Sequence, residues 1–406
     1  MKLPKGWQIM QMNEAGGVDA GRQRSPHHVA GKPRPYLRVA NVKDGYIDTS
    51  DVNAMTFTDS EFERFKLSAG DILLNEGQSL ELVGRPAIYK GVPADCCFQN
   101  TLIRFRSRNG TDARFALQLF KHLLITGRFA GIASQTTSIA HLGVSRFAEL
   151  KAAFPPLSEQ KQIAAILETW DLATEKLESL VAMNTARLCA LRQQLLTGIR
   201  RFPQFRKQAW LAKKLGDVLK SVNRYEDWND HRTFKLAGVR RNSGGLFFRD
   251  ELLGSQIKVK VCKKIHTGDF LISRRQITWG GMSIVPPEFH GYDVNDEYEV
   301  LQVRDSAMFD MRFFHYLSQT ATLKNLAYLA SNGVFAERLR LNFDLKTFLN
   351  QPIRIPPTKA EQLKITSLLD GCVLEINLLE AELEALKLQK RGLMQKLLTG
   401  EIRVKP

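Results

Sequence analysis

The chain has 406 residues and 46.0 kDa, which exceeds one ordinary domain and suggests two or three. Its 44% hydrophobic and 25% charged residues, with a mean hydropathy of −0.23, are those of a folded soluble protein. Lysine and arginine outnumber aspartate and glutamate 58 to 42, and the net charge of +16 permits a polyanionic partner.

No apolar stretch approaches the roughly 18 residues of a membrane span. The opening Met1-Lys2-Leu3-Pro4-Lys5 is followed by polar sequence rather than a signal core. Five scattered cysteines (Cys96, Cys97, Cys189, Cys262, Cys372) form no CxxC pair, which fits free thiols in a reducing cytoplasm.

The first 43 residues carry 8 Lys/Arg against 2 Asp/Glu. Within them Arg22, Arg24, His27, His28, Lys32 and Arg34 crowd a Gly/Pro-containing loop. Short β-rich runs follow at Tyr36 to Val42, Ile72 to Leu74 and Leu102 to Phe105, then a helix near Phe115 to Ile125. A polar loop, Gln135-Thr136-Thr137-Ser138, precedes the next element.

That element opens at Pro155-Pro156, which suits the start of a helix and forbids its interior. Apolar residues then recur at spacings of three and four: Ile163, Leu167, Trp170, Leu177, Val181, Leu188, Leu191, Leu195. This is a coiled-coil seam, stopped by Gly198.

Residues 201–275 carry 18 Lys/Arg against 7 Asp/Glu, so both basic blocks open a half of the chain. Matching blocks favour phosphate contact over mere solubility. Predicted strands lie at Gly245 to Phe248, Phe270 to Ser273 and Glu299 to Val303, with a helical stretch near Met311 to Leu329. Arg240-Arg241-Asn242 follows one strand, and Ser273-Arg274-Arg275-Gln276-Ile277-Thr278-Trp279 follows another. Arginine can hold phosphates or read guanine, glutamine and asparagine suit adenine, and an aromatic ring can stack. Asn332 and Gly333 fall opposite the Gln-Thr-Thr loop of the first half. Trp7 and Trp210, each near the start of a globule, read as core anchors.

From Glu361 the chain repeats itself. Residues 159–198 and 361–400 align without a gap and are identical at 13 of 40 positions. Both begin Glu-Gln (Glu159, Gln160; Glu361, Gln362) after a Pro-Pro pair. Both end Leu-Leu-Thr-Gly (Leu195, Leu196, Thr197, Gly198; Leu397, Leu398, Thr399, Gly400). Gly392 lies inside the second helix, where it should cost about 1 kcal/mol relative to alanine. Fainter matches join Gly70-Asp71 to Gly268-Asp269 and Asp112-Ala113-Arg114-Phe115 to Asp310-Met311-Arg312-Phe313.

The expected organisation is α+β. A globule at 1–154 is followed by a spacer helix at 155–199, a second globule at 200–355 and a second spacer helix at 356–406. The first helix leads from globule one to globule two, so a helix that pairs with it on the way back runs antiparallel. The object is then pseudo-twofold, with two equivalent faces for two copies of a partner. Similar helices and diverged globules suggest one duplex bearing two unlike sequence elements.

These residues resemble the specificity subunit of type I restriction-modification systems. The likeness rests on Leu3-Pro4-Lys5-Gly6-Trp7, on Tyr36-Leu37-Arg38-Val39-Ala40-Asn41-Val42 and on Ala69-Gly70-Asp71-Ile72-Leu73. It rests above all on the twice-used Glu-Gln start and Leu-Leu-Thr-Gly end. The resemblance implies a target-recognition domain in each globule, each reading one half of a split, asymmetric DNA sequence. It also implies helices that space the halves and dock two methyltransferase subunits, with a translocase-nuclease subunit joining for restriction. S-adenosylmethionine, ATP and Mg²⁺ would then belong to those partners, and this chain would bind no cofactor and catalyse nothing.

Motifs for catalysis are missing. Val285-Pro286-Pro287-Glu288-Phe289 lacks the amide or carboxylate that an adenine methyltransferase motif needs, and reads as a loop. No G-x-x-x-x-G-K-[ST], HExxH or CxxC occurs. Glu61 and Glu63 read as a solvated face. The competing readings are a self-sufficient DNA methyltransferase or nuclease and a coiled-coil adaptor.

Overall fold

The computed structural model describes residues 3–24, 30–135, 138–332 and 342–404. The chain divides into two compact units, Met1–Ser179 with Ala381–Pro406, and Leu180–Glu380. These units cut across the four segments expected above. Each contains one globule, the beginning of the long helix that follows it and the end of the other long helix.

The long helices span Leu157–Leu196 and Lys359–Thr399. Gly198 and Gly400 end them in the left-handed region, at φ +73° and +75°, where only glycine is unstrained. An added Cβ would also stand 3.3 Å from the Trp210 ring at Gly198 and 2.4 Å from Pro4 Cγ at Gly400. Gly392 leaves the second helix unbroken.

In the first unit Ile163 and Leu167, near the start of the first helix, share a core with Met394, Leu397 and Leu398 at the end of the second. Lys390 pairs with Asp171, and Lys387 Nζ lies 2.9 Å from Glu178 Oε1. Later residues of one helix meet earlier residues of the other, so the pairing is antiparallel. The second unit mirrors this internally, with Leu195 and Leu196 sharing a core with Ile365 and Leu369. In the second helix Ile365, Leu369, Cys372, Ile376 and Leu383, spaced by three, four and seven like the seam of the first, are buried, while Leu172, Met183, Leu374, Leu378 and Leu388 are exposed.

The two globules are built alike. In the first, Gln8–Gln11 pairs with Lys151–Phe154; in the second, Leu211–Lys214 pairs with Pro352–Ile355. Each pair brings the globule's first strand back to the segment that leads into the helix. The first unit's main sheet runs Gly16–Ala20, Leu102–Ser107, Ile72–Asn75, Pro86–Ile88. The second unit's runs Leu219–Ser221, Tyr298–Val303, Phe270–Ser273, Met282–Ile284. Every neighbour pair in both is antiparallel.

A helix covers each main sheet. In the first unit it is Ala113–Ile125, where Phe120 meets Phe105 edge to face at 5.0 Å and Phe147 at 5.3 Å. In the second, the stretch near Met311 to Leu329 is two helices, Met311–Ser318 and Ala321–Leu329. Thr320 caps the second of them through Leu323 N. A second sheet flanks each main sheet: Asn53–Phe57, Lys32–Leu37, Cys97–Phe98 in the first unit, and Leu246–Leu253, Thr233–Val239, Asp293–Asn295, Cys262–Lys264 in the second. The strand expected at Tyr36 to Val42 begins earlier, at Lys32, and gives way to a 3-10 turn at Val39–Asn41. Asn41 causes the turn, because its side chain accepts from Arg38 N and donates to the Asp48 and Asp51 carbonyls.

The repeated Gly-Asp turns are structural. Asp71 and Asp269 are fully buried, and each accepts an arginine, Arg106 at 2.7 Å and Arg224 at 2.6 Å. Buried carboxylates need such partners. His315, half-buried beside Phe270, has its pKa pushed down to about 4 by desolvation, opposed by Asp370. The unfolded chain takes up this proton near pH 6.5 while the folded chain resists it until about pH 4, so stability falls as pH drops through that window. The expected slope is about 1.4 kcal/mol per pH unit. Urea unfolding of wild type and His315→Phe at pH 7 and pH 5 checks it: the variant should lose less stability between the two.

Among the described residues, no helix is long and apolar enough to cross a membrane.

Candidate nucleic-acid interface

In the second unit the two loops predicted from sequence meet. The turn after Thr233–Val239 lies against the loop after Phe270–Ser273, joined by Asn242 N to Trp279 O at 2.7 Å and Ser243 N to Gly280 O at 2.8 Å. Asn242 and Ser243 both have positive φ, 55° and 56°, a conformation that costs energy outside glycine and persists only where neighbours enforce it. Arg241 lies over the Trp279 ring at 5.5 Å, and that ring is 52% exposed. Arg240 covers Phe247 at 5.3 Å and donates to Leu246 O at 2.9 Å. The end of the Lys324 side chain stands beside Gly280, 3.2 Å from where a Cβ would sit.

Charge separates these arginines. Arg274 Nε donates to Glu299 Oε1 at 2.6 Å, and Arg275 pairs with Glu297. Arg240, Arg241 and Lys324 have no carboxylate partner among the described residues. Arg274 and Arg275, which sequence placed at the centre of the site, are therefore largely neutralised, and the free positive charge lies on the neighbouring turn. Gln276 and Thr278 are half-buried in the 3-10 turn that supports Trp279. Asn332 pairs with Asn342 through the backbone, and its side chain lies outside the described part.

The first unit places its candidates differently. Arg22 is buried: its Nε donates to Glu61 Oε1 at 2.8 Å, its Nη1 to Thr56 O at 2.6 Å, and it covers the Phe57 ring at 4.8 Å. Arg22 braces the loop and is not open to DNA, and Glu61 is its partner rather than part of a solvated face. Desolvation raises the Glu61 pKa, yet hydrogen bonds from Thr58 and Arg22 bring it below the usual glutamate value. Arg34 lies over Phe62 at 4.1 Å and 3.5 Å from Asp95. Arg24 and Lys32 are exposed, with Lys32 Nζ 3.7 Å from Asp59. His27, His28, Thr136 and Thr137 lie outside the described residues.

Gln135 is exposed on a three-stranded sheet, Ser134–Gln135, Ala140–His141, Gly77–Gln78. In register, Ala140 faces Gln135 on one side and Gln78 on the other, so both glutamines emerge on one face. Arg146 fixes this loop by donating to Ser134 Oγ at 3.0 Å and His141 O at 2.8 Å. Gln78 was not picked out from sequence, because nothing local marks it as a neighbour of Gln135.

The repeated Glu-Gln and Leu-Leu-Thr-Gly residues form the joints between helix and globule. Glu159, 2% exposed, accepts from Trp7 Nε1 at 3.2 Å and from Arg403 Nε and Nη2 at 2.7 and 2.8 Å. Glu361, fully buried, accepts from Trp210 Nε1 at 3.3 Å and from Arg201 Nε and Nη2, both at 2.8 Å. Gln160 Oε1 accepts from Asp112 N, and Gln362 Oε1 from Asp310 N, both at 2.9 Å. Asp112 and Asp310 in turn cap the helices behind them. Leu195, Leu196, Leu397 and Leu398 are buried, while the hydroxyls of Thr197 and Thr399 turn back onto their own helices. The buried members of this set fasten helix to globule within each unit. Arg201 and Arg403 were missed because each reads locally as one more basic residue past a helix end.

Among the described residues, no group of three or more His, Cys, Asp or Glu side chains is placed to hold a metal ion.

The protein is thus a duplicated α+β chain in which each globule joins the long helices through the same contacts and carries a cationic or amide-bearing tip. A family profile described as "Type I restriction modification DNA specificity domain" matches residues 4–181. Along its whole length the chain is similar to type I restriction-modification specificity subunits. It is 23% identical to the putative type I restriction enzyme MjaX specificity subunit of Methanocaldococcus jannaschii, over 100% of this chain and 95% of that one. Against the MjaVIII specificity subunit of the same organism it is 22% identical with the same coverage. Its fold is similar to the crystal structures of the type I system S subunit from M. genitalium (TM-score 0.55, 15% identity, 98% of each chain) and of the HsdS subunit from Thermoanaerobacter tengcongensis (TM-score 0.52, 18% identity, 99% of each).

Proposed function

We propose that the chain is the DNA-recognition subunit of a type I restriction-modification complex and binds a split, asymmetric duplex target. The observation that carries this reading is duplication with divergence. Two joints share the same contacts, from Trp7, Glu159 and Arg403 in one unit and Trp210, Glu361 and Arg201 in the other, while the tips differ in chemistry. Like joints with unlike tips suit one DNA molecule with two unlike elements.

The target-recognition domains are 1–154 and 200–355, and the spacer helices are 155–199 and 356–406. Gln78, Gln135, Thr136, Thr137, Arg24 and Lys32 are the first domain's candidate contacts; Arg240, Arg241 and Asn242 are the second's. The exposed Leu172, Met183, Leu374, Leu378 and Leu388 support docking of protein along the helices. Two methyltransferase subunits dock to this chain, and through them the translocase-nuclease subunit joins. S-adenosylmethionine, ATP and Mg²⁺ belong to those subunits, and the complex works in the cytoplasm.

Native mass measurement of the chain purified with its methyltransferase should give two methyltransferases per chain, and that complex should select one split sequence from random duplexes. A single methyltransferase at saturation, or no selection, overturns the reading.

A further inference from the structure

We propose that Arg241, held over the exposed ring of Trp279, reads a guanine in the half-site of the second globule. The inference rests on the DNA-recognition reading above and names the base and the residue that carry part of its specificity. Four observations converge on it.

Arg241 keeps its charge free. The arginines of the adjacent loop, Arg274 and Arg275, are matched to Glu299 and Glu297, whereas Arg241 has no carboxylate partner among the described residues. Trp279 is a large aromatic left half-exposed, with Ile277 beside it taking the buried place in the same turn. The cation–π contact with that ring, 5.5 Å from guanidinium carbon to ring centre, restrains a long side chain that is otherwise exposed.

The backbone beneath is equally constrained. Asn242 and Ser243 are held at positive φ by hydrogen bonds to Trp279 O and Gly280 O, so the Arg241 turn and the Trp279 loop form one rigid tip. The flanking cations differ in kind. Arg240 is tied to Leu246 O, and Lys324 is a flexible ammonium beside Gly280. Those two suit phosphates on either side, where a point charge is enough. The planar fork of Arg241, restrained beside Trp279, suits the paired acceptors O6 and N7 of guanine in the major groove.

The test separates fork from charge. Random duplexes are selected with the full chain purified with its partner subunits, as wild type, Arg241→Lys, Arg241→Ala, Trp279→Ala, Lys324→Ala and the Arg274→Ala/Arg275→Ala pair. Wild type should select a split motif with guanine at one position of one half. Arg241→Lys retains the charge and loses the fork, so discrimination at that guanine should fall about 10- to 100-fold. The other half-site and the salt dependence of binding should stay as in wild type. Trp279→Ala should relax the same position, because the ring that restrains Arg241 is gone. Lys324→Ala should weaken all sequences alike and reduce the salt slope by about one. The Arg274/Arg275 pair should leave that guanine preference intact.

Arg241→Lys with an unchanged motif overturns the proposal, as does loss of the guanine preference in the Arg274/Arg275 pair alone. No sequence selection by the wild-type complex overturns the DNA-recognition reading itself, a result distinguishable from either.

Discussion

Replacing Arg201 with alanine is expected to lower the melting temperature of the protein by roughly 6–20 °C. The Arg201 guanidinium gives two hydrogen bonds, both 2.8 Å, to the fully buried carboxylate of Glu361. Without it Glu361 retains only the Trp210 indole at 3.3 Å. Breaking a buried ion pair by removing one partner costs about 3–5 kcal/mol, because the remaining charge is stranded away from water. For a unit of about 200 residues, each kcal/mol shifts the melting temperature by about 2–4 °C.

Arg403→Ala, the equivalent change in the other unit, should cost about half as much. The Arg403 side chain is 42% exposed, so solvent screens its pair and can reach Glu159 once it is gone. Adding Glu361→Leu to Arg201→Ala should recover part of the loss, since it removes the stranded charge. Differential scanning calorimetry of the full chain measures all three. A shift below about 2 °C for Arg201→Ala would show that the joint is held by its apolar contacts alone.

Lengthening both long helices together is expected to change the gap in the DNA target while leaving each half-site intact. The joints dictate how this must be done. An insertion at the Leu195-Leu196-Thr197-Gly198 end would pull Gly198 from Trp210 and Arg201 from Glu361. An insertion in one helix alone would throw its antiparallel partner out of register. Matched seven-residue blocks after Ser179 and after Glu380 preserve the heptad phase in both helices and spare all the joint residues. Each helix then grows by about 10.5 Å, the rise of about three base pairs. Three base pairs also turn B-DNA by about 100°, so bending or twisting of the DNA must absorb any mismatch. Mapping methylated adenines in a strain carrying the double insertion should show both half-sites unchanged and a gap longer by two to four pairs. An unchanged gap would mean that the helices do not set it.

Much of the architecture was legible in the chain because it is periodic. The leucine seam, the Pro-Pro starts and the glycine ends need only nearest neighbours along one helix, and the helices Leu157–Leu196 and Lys359–Thr399 fall within the limits those signals set. Copying the pattern 202 residues later made the duplication visible, and connectivity alone then required antiparallel pairing. The candidate contact tips were half legible. Arg240-Arg241-Asn242 and the loop ending at Trp279 each stand out by composition, but their separation in sequence hides that they touch.

Composition by itself fixed the abundance of positive charge and the two blocks in which it lies. It could not say which charges are free, because pairing depends on which strand lies next to which. Arg22 and Arg241 look alike in sequence; Glu61 and the Thr56 carbonyl enclose the first, and no carboxylate among the described residues faces the second. In the same way the partners of the repeated glutamates are hidden until folding brings Arg403 to Glu159 and Arg201 to Glu361, across 244 and 160 residues of chain. Periodicity is a local property and survives in one dimension. Desolvation and charge pairing are set by neighbours distant in sequence, and only the tertiary structure supplies those.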